Sequence, residues 1–214
     1  MFKDNSLLRL AEHKFLSLIT LNGRVLDLGG DKNAEYQKLL KGNFEIFNVN
    51  FSQKAEPDLL HDLEVTPLPL ASESFDAVLL INVIEHIFNY QALLSEANRL
   101  LKKDGKLVIA IPFMFPVHPS PRDFNRFTGD ALKLILEKYD FKNTEIHPLG
   151  GGVFTTRTLF LHRLLPQPFR WFYGLVAFPV ARVNDYLFTK VANLLGKSYK
   201  YSDYALGYCV VAQK

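Results

Sequence analysis

The chain has 214 residues, 48% hydrophobic and 22% charged, enough apolar mass for a full core and too much for a disordered tract. Its net charge of +3 is too slight to mark a nucleic-acid binder, and its single cysteine, Cys209, excludes an intrachain disulfide or a cysteine metal cage. Met1–Asn5 does not open a signal peptide. The longest uncharged apolar run, Trp171 to Ala181, falls short of the roughly 20 residues of a spanning helix. The expected location is the cytoplasm, with peripheral contact at a membrane left open.

Leu7 to Ile19 carries apolar residues at 7, 8, 11, 15, 18 and 19, one face of a helix. Val25–Leu28 reads as a buried strand running into Gly29-Gly30. Ala34–Leu40 reads as a short helix, residues 44–49 as a second strand and Asp58–His61 as a weak third. Phe75–Ile81 is strongly apolar, as a strand covered on both faces should be. Asn89 is placed to cap a helix with the stripe Leu93, Leu94, Ala97, Leu100 and Leu101, and Gly105 to end it. Lys106–Ile111 is the next strand, Thr128 caps a further helix, and Phe141–His147 and Ala205–Ala212 are two last strands. Strands alternating with helices predict one α/β domain over residues 1–214, doubly wound on a mostly parallel seven-stranded sheet. Residues 150–204 are too long for a bare loop and predict a helical insertion before the last strand.

An acid and a glycine turn between a first strand and the following helix place backbone N–H groups where a polar cofactor is held. Here that set is Asp27, Gly29 and Gly30. At matching intervals follow Asp62-Leu63, Phe75-Asp76-Ala77-Val78, Glu85-His86 and Leu101-Lys102-Lys103-Asp104-Gly105. The ordered set resembles the class I S-adenosylmethionine-dependent methyltransferases, over residues 23–147 and the final strand. It is most similar to the group acting on small-molecule, glycan and lipid acceptors. The resemblance implies a Rossmann-like fold, S-adenosylmethionine as cofactor, and Asp27, Gly29, Gly30, Asn50, Asp62, Leu63 and Asn82 as its binding residues. Plain turn roles remain open for Asp27 and Asp62, and a solvated helix start for Glu85-His86. A dinucleotide oxidoreductase is disfavoured because Gly-x-Gly-x-x-Gly is missing. Nucleic-acid methylation is not expected.

Two positions depart from the family pattern. Asp31 and Asn33 stand where glycine is usual, and both tolerate positive φ better than most residues. Asn50 stands where an acid usually holds the ribose hydroxyls. A neutral amide forgoes a bond worth about 1.5–3 kcal/mol for one worth about 0.5–1.5, which predicts weaker cofactor binding. A non-catalytic relative is the alternative function.

After the fifth strand, Pro112–Thr128 forms a proline-stiffened loop at the sheet's carboxyl edge. Methyl transfer from a sulfonium is an in-line displacement that needs no metal. Alignment contributes up to about 7–11 kcal/mol, and a base helps where the acceptor must lose a proton. His118 is the candidate base, and His86, Asp123 and Arg126 are candidate acceptor contacts. The alternative is that His118 only ties the loop and Asp123–Arg126 is a structural pair. The insertion holds seven basic residues and one acid, Asp185, within residues 153–200, leaving the rest of the chain net acidic. It reads as a lid over the acceptor, a membrane-surface segment or a homodimer contact.

Overall fold

The computed structural model describes residues 7–167 and 169–214; Met1–Asn5, expected to form no signal peptide, lies outside them. Seven strands form one sheet: β1 (Gly23–Leu28), β2 (Phe44–Asn50), β3 (Leu59–Leu60), β4 (Phe75–Ile81), β5 (Leu101–Pro112), β6 (Lys142–Leu149) and β7 (Gly207–Gln213). Their order is β3-β2-β1-β4-β5-β7-β6. Pairs up to β4–β5 are parallel, and β7 runs antiparallel to both β5 and β6. This is the doubly wound, mostly parallel sheet expected.

Alternate residues of the central strands enter two separate cores. Leu26, Leu28, Val78, Leu80, Leu107 and Ile109 face one, and Val25, Ala77, Leu79, Ile81, Val108 and Ala110 the other. Burial on both faces is why these strands read as strongly apolar without alternation. Helices α2 (Tyr90–Leu100) and α3 (Gly129–Lys138) cover the first face with Leu93, Leu94, Ala97, Leu132 and Leu136. Helix α1 (Leu7–Leu16) covers the second, with Leu159 of α4 (Val153–Leu164). The insertion is helical: α4 is followed by the 26-residue α5 (Phe169–Leu194).

Three local expectations need correction. Asn89 precedes α2, but its side chain makes no cap bond. The Glu64 carboxylate does that work, accepting the N–H groups of Phe88 and Asn89 at 2.6 and 3.2 Å. The helix gives way to β5 at Leu101, and the left-handed residue is Asp104 (φ 61°), not Gly105. The short helix after β1 is a 3-10 turn, Glu35–Leu39. Thr128 caps α3 as expected, its hydroxyl accepting the Ala131 N–H. Asp76 pins the amino ends of three strands, through the Arg24 N–H at 2.8 Å and Lys102 Nζ at 2.8 and 2.9 Å.

Candidate active site

The chain moves outward from β1 to β2 and β3, then returns to the other side of β1 as β4. Loops leaving β1 and β4 therefore diverge, and a crevice opens between their carboxyl ends. Its volume is about 930 Å³, within the range of sites for drug-sized ligands. Gly29, Asn50, Asp62, Leu63, Asn82 and His86 line it, with Phe51, Phe88, Phe124 and Arg122 among their neighbours. The first six of these are among the eleven residues expected to act; the other five, Asp27, Gly30, His118, Asp123 and Arg126, do not line the crevice.

Asp27 lies beneath the glycine turn, fully buried. Its Oδ2 accepts the Tyr36 hydroxyl at 2.6 Å and the Gln37 amide at 2.7 Å, both from the 3-10 turn. Its Oδ1 has no protein partner. Burial, offset in part by those two donors, raises its pKa to about 6. Gly30 is required directly above: a Cβ there would run into Tyr36 Oη and the Asp27 carboxylate. Gly29 has φ 88°, and a Cβ would strike Val83 across the crevice. Asn33 takes φ 61°, so it does supply the backbone shape of a glycine, whereas Asp31 is not among the positive-φ residues.

A raised carboxyl pKa stabilises the fold at low pH. That contribution is fully present below about pH 3.8 and is lost as pH rises through about 6, a swing of about 3 kcal/mol. Asp27→Asn should remove this swing. Urea denaturation at about pH 4 and pH 7 checks it: the variant's stability relative to wild type should be higher at the upper pH. An unchanged difference between the two pH values would show that Asp27 does not titrate in that window.

Asn50 does something the sequence reading missed. Its Nδ2 donates to Gly29 O at 2.9 Å and Gly30 O at 3.3 Å, and its Oδ1 accepts the Ser52 N–H at 3.0 Å. The expected pair of bonds to ribose is thus corrected: the amide donor is committed to the turn's carbonyls, and only Oδ1 can serve a hydroxyl. A carboxylate there would face two carbonyl oxygens. Asn50→Asp should therefore weaken S-adenosylhomocysteine binding about tenfold, ~1.4 kcal/mol, and not restore a tighter site; calorimetry measures it, and a tighter variant would return Asn50 to the role of a poor substitute.

Asp62 is exposed and accepts the Glu64 N–H at 3.0 Å, a local turn at the crevice rim. Leu63 behind it is buried. Asn82 adopts φ 55° and donates to Glu12 Oε2 at 2.9 Å. Glu12 escaped the sequence reading although the signal was there. It sits between Leu8 and Leu16, one turn from each, on the buried stripe of α1. Burial raises its pKa against the pull of Arg9 and Asn82.

The second constellation gathers behind His86. Glu85 is fully buried and neither carboxylate oxygen has a hydrogen-bond partner. His86 Nε2 and His118 Nε2 lie 3.7 and 4.0 Å from its Oε1, with the two rings edge-to-face at 5.1 Å. His86 Nδ1 lies 2.6 Å from Arg122 O and His118 Nδ1 3.1 Å from Pro116 O. A carbonyl accepts only, so both Nδ1 atoms carry the proton and both Nε2 lone pairs turn to Glu85. Burial pushes Glu85 to about 8, with the Arg126 charge opposing it. A neutral carboxyl is the form that such a pocket tolerates. His118 is shifted down, chiefly by burial. The three ligand atoms lie within 4.8 Å of one another, wider than the ~3.4 Å between ligands of a tetrahedral ion. As built, the group holds a proton better than a metal.

Asp123 and Arg126 were expected to meet the acceptor. They meet each other instead: both carboxylate oxygens take the guanidinium at 2.5 and 2.6 Å, and Oδ2 also accepts the His118 N–H at 2.9 Å. That pairing holds Asp123 down at about 2. The two residues position the loop, which also hangs on Glu85 O through the N–H groups of Phe124 and Asn125.

Residues 26–109 match the model of a family described as a methyltransferase domain. The chain is similar to methyltransferases over that stretch, about two fifths of its length. Its fold is also that of an S-adenosylmethionine-dependent methyltransferase from Archaeoglobus fulgidus, at 16% identity and TM-score 0.60 over 98% of this chain and 95% of the other. An uncharacterized protein of Methanocaldococcus jannaschii is 48% identical over 89 residues, 42% of this chain and 36% of that protein, so the match spans about a third of that relative's length. A demethylmenaquinone methyltransferase of Tropheryma whipplei is 23% identical over 70% of this chain and 77% of its own. A phosphoethanolamine N-methyltransferase of Haemonchus contortus with this fold, at 18% identity and TM-score 0.57 over 96% of this chain and 51% of the other, is in complex with S-adenosylmethionine. The polar rim of Asn50, Asp62 and Asn82 suits a nucleoside with a charged amino-acid tail.

Proposed function

We propose that this chain transfers the methyl group of S-adenosylmethionine to a small-molecule, glycan or lipid-linked acceptor by in-line displacement, acting in the cytoplasm. The observation that carries the reading is the continuity between the crevice and the histidine pair: His86 lines the former and touches His118. Gly29 and Asn82, on the β1–β4 side, would hold the nucleoside, and the cofactor would supply an electrophilic methyl group for in-line transfer. The acceptor would enter between the edge-to-face pair Phe88–Phe124, 5.4 Å apart, and Arg122. The proton it sheds passes to the imidazole pair, with His118 as base and the buried Glu85 oriented toward both rings.

Calorimetric titration with S-adenosylhomocysteine tests the first half, and transfer of labelled methyl across a panel of hydroxylated and aminated acceptors tests the second. Absence of binding overturns the reading. Binding without transfer to any acceptor supports the second reading, a non-catalytic partner subunit, which Asn50 in place of an acid favours.

A further inference from the structure

The long helix α5 is built inside out. An ordinary surface helix buries an apolar stripe and shows water a polar face. Here the buried stripe is small and partly polar: Ala181, Asp185 and Ala192. Asp185 accepts the N–H groups of Phe154 and Thr155 at 2.8 Å each, so the inward acid caps α4. The outward face is apolar. A repeat of three, four and four residues runs from Phe169 through Val180 to Val191 and from Phe172 through Val183 to Leu194, with Val176 and Leu187 completing it. Every one of these eight residues is at least 52% exposed.

Eleven residues in three turns is about 3.7 per turn, close to the helix's own 3.6. The stripe therefore barely winds and stays on one side of the helix through its 26 residues, about 39 Å, with Pro179 inside it. An apolar groove of about 480 Å³, bounded by Leu165, Pro166 and Phe172, opens at its amino end.

Charge chooses the occupant. Residues 153–200 carry seven basic residues, and their single acid, Asp185, is buried. Lys190 sits on the strip itself, over the Tyr186 ring at 4.8 Å, where a lysine can bury its stem and lift its head toward phosphate. A second copy seated strip to strip would set these cations against each other. No described helix is long and apolar enough to cross a bilayer. We infer that α5 lies in the plane of an anionic lipid surface, apolar strip down, and docks the chain there as a peripheral protein. Arg163, near the end of α4, stacks on Phe115 at 4.2 Å, and Phe115 meets His118 at 5.2 Å, so the helix that leads into α5 adjoins the acceptor loop. Docking itself does not depend on the reaction.

The test uses the whole chain. Vesicles of phosphatidylcholine with phosphatidylglycerol should sediment the protein, and pure phosphatidylcholine should do so far less. Val176→Glu with Leu187→Glu should cut sedimentation at least tenfold. Leu134→Glu, equally exposed but on α3, should not. Lys190→Glu with Lys197→Glu should erase the preference for the anionic lipid. Protein left in the supernatant with the anionic vesicles would overturn the inference. So would a stable dimer in light scattering that ignores vesicles and dissociates with the Val176–Leu187 variant.

Discussion

Gly30→Ala should abolish useful cofactor binding, weakening S-adenosylhomocysteine at least ~100-fold, about 2.7 kcal/mol. The residue has ordinary backbone freedom, so its requirement is one of space. A methyl group at this position meets the Tyr36 hydroxyl and the Asp27 carboxylate, both buried and bonded to each other. Neither is the loose end of a surface side chain. The turn must lift, and with it the Asn50 amide that holds Gly29 O and Gly30 O. Overpacking of this kind costs about 1–3 kcal/mol of stability as well, a melting shift of several degrees for a chain of this size. Calorimetry and thermal melting measure the two losses separately. Tyr36→Phe in the same chain removes one of the two collisions and should recover part of the affinity. Gly196→Ala is the control: it has φ 70° but nothing within 4 Å of a Cβ, so affinity should stay at the wild-type value. A Gly30→Ala chain that binds normally would mean that the turn moves freely and that the Asp27–Tyr36 pair does not shape the site.

His118→Ala should lower kcat by about 10²-fold or more on an acceptor that must lose a proton, with S-adenosylhomocysteine affinity within about twofold of wild type. The split follows from position. His118 stands behind His86 and does not line the crevice, so its loss removes a proton acceptor without removing a wall. His86→Ala, which does remove a wall, should raise KM and lower kcat together. Burial lowers the His118 pKa, so its neutral form persists below the usual imidazole range. The rate should therefore rise with pH along a limb centred below about 6.5 and be flat near neutrality. Full turnover by the His118 variant, or a limb that survives in it, would leave the loop-tying role as the whole of what this histidine does.

Much of the scaffold was legible because it follows from periodicity. β1, β4 and β5 are buried on both faces and announce it by strongly apolar, non-alternating stretches; α3 announces itself by its stripe and by Thr128. The site was legible where a residue's own place in a strand or turn decides its position, as with Gly29, Asn82 and Leu63. It was illegible where meaning depends on a partner far along the chain. An acid at the end of β1 looks the same whether it faces a ligand or lies beneath the turn; Tyr36 and Gln37 decide that. Asn50 looks like a weakened acid until the carbonyls of Gly29 and Gly30 are seen to need its protons. Glu85 reads as a solvated helix start, yet the loop carrying His118, some thirty residues on, closes over it. Asp123 and Arg126 are three apart and find each other before any acceptor can. Glu12 was the avoidable omission, since its spacing from Leu8 and Leu16 already set it on an inward face.

Strand β7 follows the insertion in the chain yet lies between β5 and β6, bonded to both. During synthesis the edges of those two strands stay open until α4 and α5 have left the ribosome. For that interval a nascent chain displays unsatisfied strand edges and a naked apolar helix together, the pairing that invites aggregation. A bilayer that captures α5 early would remove one of the two hazards before the sheet can close, making the lipid surface an assembly partner as well as an address.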